Sequence, residues 1–162
     1  MPSNWLTLPE CNWITSWATC WKLTWPASAA PSTWSSWKGG VLHYFHDIAQ
    51  FMGLMHRLLR PGGRMICSDF HPFTKMQDTL GLETRQMSYF CADVFEGEMA
   101  HARFYPADVR AQFPKCRLRR YTMSEIVNAS IDAGFTLRRL DEHPAWENPD
   151  VPGEFTIVAD RI

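Results

Sequence analysis

A dominant sign of charge is missing from this sequence. Lys plus Arg number 16 against 17 Asp plus Glu, for a net charge of -1, and the isoelectric point is about 6.6. No global field draws the chain to nucleic acid or to an anionic membrane, so neither is expected as a partner. No apolar run reaches the roughly 20 residues that a transmembrane helix needs. The start lacks the basic region and apolar block of a secretory signal. Cysteine is sparse and odd in number: Cys11, Cys20, Cys67, Cys91 and Cys116 form no Cys-x-x-Cys pair. A zinc site or a disulfide framework is therefore not expected, and reduced thiols in a cytoplasm are. The rest of the composition is that of a globular domain, 46% hydrophobic and 20% charged, long enough to bury a core.

Charge is also nearly absent locally. Residues 1–37 hold seven of the eight tryptophans (Trp5, Trp13, Trp17, Trp21, Trp25, Trp34 and Trp37), yet only Glu10 and Lys22 are charged. Trp13, Trp17, Trp21 and Trp25 recur at every fourth position, as along one helix face. Pro26, Pro31 and the Ser/Ala run between them then oppose a continuing helix. A membrane-interface anchor would need a basic polar face, which this segment lacks. The genetic code offers another reading. Tryptophan has a single codon, TGG, and Pro31–Lys38 read one base out of step can give Phe-Asp-Val-Val-Phe-Val-Glu-Gly. That is a buried-strand pattern running directly into Gly39. Residues 1–38 are thus expected to be a frame-shifted, poorly ordered segment, and residues 39–162 the folded part. A natural Trp-rich tail is the alternative.

From Gly39 onward the local signals agree with one another. Ile48, Phe51, Met52, Met55, Leu58 and Leu59 fall at helical spacing behind Asp47, an N-cap residue. The spacing predicts a helix over Asp47–Arg60, stopped by Pro61-Gly62-Gly63. Arg64–Asp69 reads as a short buried strand. Phe70–Arg120 is irregular but rich in aromatics, as in a lid, a substrate wall or a packing hairpin. Thr122 and Glu125 match a capping box for a helix over Thr122–Ala133, with Gly134 closing it. Phe135–Asp141 and Glu154–Asp160 read as strands too close together for an intervening helix. They are expected to pair antiparallel, with Arg64–Asp69 beside the last strand and Phe135–Asp141 at the edge.

This order resembles the second half of the class I S-adenosylmethionine-dependent methyltransferase domain, of the small-molecule, methyltransferase-domain type. Leu58–Arg64 looks like the family's turn before its fifth strand. Gly39-Gly40-Val41-Leu42-His43 looks like its loop after the fourth strand, and Thr122–Ile126 with Ala133-Gly134-Phe135 like its last helix entering the sixth. Ser68–Phe73 resembles a stretch found in small-molecule members. The resemblance covers Gly39 to Ile162 and implies an α/β fold: a partial Rossmann-like sheet with a C-terminal antiparallel hairpin. The family's glycine-rich cofactor loop, Gly-x-Gly-x-Gly, has no counterpart here, nor has the acidic residue that binds the ribose.

By the same resemblance, Gly39, Gly40, Val41, Leu42 and His43 form the cofactor-binding loop for S-adenosylmethionine, and Asp69 and His71 face a small-molecule acceptor. No catalytic residue is assigned, since methyl transfer requires alignment more than an enzyme nucleophile. A metal site from His43, His46, Cys67 and His71 matches no known ligand spacing, and none is expected. The chain is expected to be truncated, to bind cofactor weakly or not at all, and to be inactive alone. The competing reading is a non-catalytic interaction module that pairs with another chain, or with itself, through an exposed edge of a half-sheet.

Overall fold

The computed structural model describes residues 31–74, 88–98 and 102–162. Within these residues the chain runs β1 (Ser32–Lys38), a 3-10 turn (Leu42–Tyr44), α1 (Ile48–Leu58) and β2 (Leu59–Phe70). It continues through β3 (Val94–Gly97), a 3-10 turn (Ala102–Phe104), α2 (Ala107–Arg110) and β4 (Cys116–Arg119). α3 (Met123–Asp132), β5 (Phe135–Pro144) and β6 (Pro152–Arg161) complete it. The main sheet has the order β1-β2-β6-β5. β1 and β2 are parallel, joined by the α1 crossover, while β6 is antiparallel to both β2 and β5. This is the mixed α/β sheet expected, with Arg64–Asp69 beside the last strand and the Phe135 strand at the edge.

Local chemistry explains the boundaries. The Asp47 side chain accepts from the Gln50 amide and caps α1. At the other end the Leu59 amide caps the His56 carbonyl, and the Arg161 guanidinium donates to that carbonyl and to the Leu59 carbonyl beyond the helix. Thr122 and Glu125 form the capping box at α3, and Gly134 takes a φ of 95° after it. One boundary differs from expectation. Pro61-Gly62-Gly63 lies inside β2 rather than before it, because the strand already pairs at Leu59 with Ser32 and shifts register between Ser32 and Trp34. The positive φ of Gly62, 75°, accommodates the irregularity.

One face of the sheet carries the core. Met65 and Cys67 of β2 and Phe155, Ile157 and Ala159 of β6 pack under Phe51 and Met52 of α1 and Ile126 and Ala129 of α3. The other face is half-exposed and mixed, with Ile66 opposite Val158 among polar pairs. Asp160 there takes both Arg64 and Arg138, and Thr156 bonds Ser68 and His143. An antiparallel pair tolerates water on one face in this way.

The N-terminal expectation needs correction. Residues 1–30 lie outside the described residues, but Ser32–Lys38 is a strand of the main sheet, so the poor order expected up to residue 38 does not hold for these seven residues. Thr and Trp suit a pleated, half-exposed surface, and backbone pairing with β2 needs no particular side chain. The two tryptophans of β1 are nevertheless not fully buried. Trp34 is 62% exposed, and Trp37 is half-buried, its ring edge-on to Phe51 at 5.2 Å.

Candidate functional site

Two parallel strands, β1 and β2, end side by side, and the loop leaving β1 folds over the end of β2. Such carboxyl ends are where open α/β sheets bind ligands. Gly39 and Gly40 both have positive φ, 71° and 72°, which other residues resist. The Gly39 amide donates to the Ser68 carbonyl at 2.9 Å. A Cβ on Gly40 would meet the rings of Phe70 at 3.2 Å and His43 at 3.3 Å, so another residue here is strained by its φ and must push these rings aside.

Asp69 organises the loop. Its Oδ1 accepts from the amides of Gly40 at 2.7 Å and Phe70 at 2.7 Å, and its Oδ2 from Val41 at 2.9 Å and Leu42 at 3.0 Å. The residue is 3% exposed. A buried carboxylate so surrounded by amides is satisfied and has little capacity left for a substrate. The resemblance made Asp69 substrate-facing; the geometry shows it anchoring the loop, at the wall of the adjoining cleft.

His71 also turns inward. Its Nδ1 accepts from the Phe73 amide at 3.1 Å, which leaves the proton on Nε2. Nε2 stands 2.8 Å from Glu142 Oε1 of β5, close enough for an ionic contact but out of line for a hydrogen bond. Burial lowers the His71 pKa, and Glu142 opposes that shift. The ring packs edge-on to Phe155 at 6.4 Å.

The cleft above the loop is lined by Leu42, His43, Asp69, Phe70, Arg119 and Tyr121, among others, and encloses about 30 Å³. That is room for a water or two. Arg119 comes from the region read only as irregular, and Tyr121 directly follows it. The Tyr121 hydroxyl donates to the Phe45 carbonyl at 2.6 Å. Burial pushes its pKa up to about 12. Arg119 bonds the His46 carbonyl and Glu125, and its guanidinium lies 4.5 Å over the Tyr121 ring. The His46 ring meets the Arg117 carbonyl at 3.0 Å. The β3–β4 ribbon is thereby tied to the segment after the glycine loop. The sequence signal was the Arg117–Tyr121 stretch directly before the capping box.

The considered metal ligands do not converge. His46 is engaged with Arg117, His71 with Glu142, and Cys67 is buried in the core with its thiol pKa raised by burial. Among the described residues no three His, Cys, Asp or Glu side chains gather. No described helix is long and apolar enough to cross a membrane.

No protein-family model and no curated protein matches the chain. Solved structures do. A protein assigned as an S-adenosylmethionine-dependent methyltransferase from Listeria monocytogenes superposes with a TM-score of 0.57 at 14% identity, over 82% of this chain and 62% of its own. An S-adenosylmethionine-dependent methyltransferase from Mesorhizobium loti gives 0.53 at 19% identity, over 81% and 62%. The chain thus spans less than two thirds of these proteins' length. It has the class I methyltransferase-like fold, with the partial coverage that half a domain would give.

Proposed function

We propose that this chain is the second half of a class I S-adenosylmethionine-dependent methyltransferase domain acting on a small-molecule acceptor, and that by itself it binds the cofactor weakly or not at all. The observation that carries this reading is the Asp69-held loop Gly39–His43 at the carboxyl ends of two parallel strands. In the parent domain that loop faces the methionine end of the cofactor. Here the amides of Gly40, Val41 and Leu42 are already committed to Asp69, the cleft is water-sized, and the chain has no Gly-x-Gly-x-Gly loop. The residues present do not fit the whole cofactor, and no step of methyl transfer is assigned to them. Hydrogen bonds to charged groups contribute about 1.5–3 kcal/mol each. Lacking several takes a micromolar site past the millimolar range, at about 1.4 kcal/mol per tenfold. Isothermal titration of S-adenosylmethionine into monodisperse protein tests this: no saturable heat is expected, and a micromolar dissociation constant overturns it.

The frame-shifted origin of residues 1–38 belongs to the same reading. Of four buried side-chain atoms without a hydrogen-bond partner among the described residues, two lie on β1: Ser35 Oγ and Trp37 Nε1. Trp37 Nε1 has the Cys67 thiol near it, but not in hydrogen-bond geometry. Buried unsatisfied groups cost about 1–3 kcal/mol each. The shifted reading would place valine and phenylalanine along this strand. Sequencing the coding DNA tests it: an upstream Gly-x-Gly-x-Gly in the shifted frame is expected, and an intact single frame without one refutes it. The free Cys67, Cys91 and Cys116 accord with a cytoplasmic location.

The second reading, a non-catalytic interaction module, is favoured by one feature. Among the described residues β1 pairs with β2 alone, and no strand among them covers its outer edge.

A further inference from the structure

The two edges of the main sheet are built differently. β5 is protected against edge pairing in the ways natural sheets use. Its register shifts between Leu137 and Arg139 and again at His143/Pro144. It carries Arg138, Arg139, Asp141, Glu142 and His143, and four of these are in ion pairs that stiffen the edge: Arg138 with Asp160, Arg139 with Asp141, and Glu142 with His71. β1 has less of this: its one register shift falls between Ser32 and Trp34, where the Ser32 hydroxyl also holds the Trp34 amide and carbonyl, and no charged residue lies from Ser32 to Trp37. Its pairing with β2 is regular from Trp34 to Lys38, its only ionisable residue is Lys38 at the last position, and Trp34 stands 62% exposed.

We propose that the outer edge of β1 is a pairing surface for a second copy of this chain, with the two β1 strands antiparallel across a twofold axis. Charge and size select this occupant and this direction. Side by side in parallel, each Lys38 would face its equivalent, and like charges directly opposite destabilise a sheet. In an antiparallel pair centred on Ser35, Lys38 lies opposite Ser32, at the far end from the other Lys38. Trp34 then meets Ser36 and Trp37 meets Thr33, so each indole covers a small side chain. Two copies present the same unprotected edge, so the contact is self-complementary and closes at a dimer. The sheet becomes continuous across the pair, with the Trp34 amide and carbonyl exchanging the Ser32 hydroxyl for strand partners.

Sedimentation equilibrium of the full chain over a range of concentrations, with amide exchange read in parallel, decides the matter. The wild type should approach twice the monomer mass as concentration rises, with protection gained at Thr33–Trp37 and unchanged in β5. Charge exchange identifies the edge. Trp34→Lys with Ser36→Lys, and Trp34→Glu with Ser36→Glu, should each be monomeric alone, and an equimolar mixture should recover the dimer. A wild type that stays monomeric overturns the proposal and leaves the edge to a different polypeptide. So does a dimer whose β1 protection does not change with concentration. Cofactor binding enters none of these readouts, so the outcome is independent of the methyltransferase reading.

Discussion

The Asp69 carboxylate holds the Gly40 amide at 2.7 Å, and through it the start of the loop that closes over the sheet. The two residues are 29 apart in sequence and meet because β1 and β2 are parallel neighbours with Lys38 opposite Ser68. Loop geometry therefore depends on one buried side chain of the adjacent strand.

Replacing Asp69 with asparagine tests that dependence. One of its two oxygens becomes an NH2 group facing amide donors, so one pair of bonds is lost: either Gly40 and Phe70, or Val41 and Leu42. The expected destabilisation is about 2–4 kcal/mol. Urea unfolding measures it, and amide exchange should locate the loosening at residues 40–42. A variant within about 0.5 kcal/mol of wild type, the range of an uninvolved surface site, would refute the anchor role.

His71 should titrate below the ordinary histidine range, and Glu142→Gln should lower it further. Burial depresses its pKa, while the Glu142 carboxylate supports the charged form. Because the folded value is depressed, the stabilisation it contributes is present above pH 6.5. It is lost as pH falls through the folded pKa. Ring-proton NMR of wild type and variant reads both values. An upward shift in Glu142→Gln would contradict the assigned contact.

Much of this was legible in the residues. Capping signals at Asp47 and at Thr122 with Glu125, and the hairpin implied by two strands with no room for a helix, located α1, α3, β5 and β6 because each rests on neighbours in sequence. The role of Asp69 was not legible, since a strand-end aspartate reads equally as pocket or turn until its partners 27 to 29 residues away are known. β1 was missed because its side chains carry no strand alternation; pairing with β2 places it. Arg119 and Tyr121 were missed for a related reason. Their partners, His46 and Phe45, lie 73 and 76 residues away.

Two glycine variants should separate strain from collision. A Cβ at Gly62 meets nothing within 4 Å but must adopt a φ of 75°, so Gly62→Ala should cost about 1–2 kcal/mol. A Cβ at Gly153 would lie 2.4 Å from the Ala145 Cα, backbone that cannot step aside without opening the β5–β6 hairpin. Gly153→Ala should cost more, about 2–4 kcal/mol, near the upper end for single substitutions. Thermal unfolding of both checks the order, and equal effects would refute the close approach.

Asp160 should give the fold an acid-sensitive contribution. Hydrogen bonds from Arg64 and Arg138 hold its pKa down to about 2, against an ordinary 3.8. The folded value is the lower one, so the unfolded chain binds the proton first as pH falls. The contribution is complete above pH 3.8 and is lost as pH drops from there to about 2. Asp160→Asn should remove it at neutral pH, so the stability gap between wild type and variant should narrow as pH falls through that window. Both arginines are more than half exposed, 55% for Arg64 and 51% for Arg138, so added salt should shrink the gap as well. Urea midpoints taken from pH 6 to pH 2 at low and high salt measure both effects. A gap that stays constant through the window would mean that the arginines do not hold this carboxylate in its charged form.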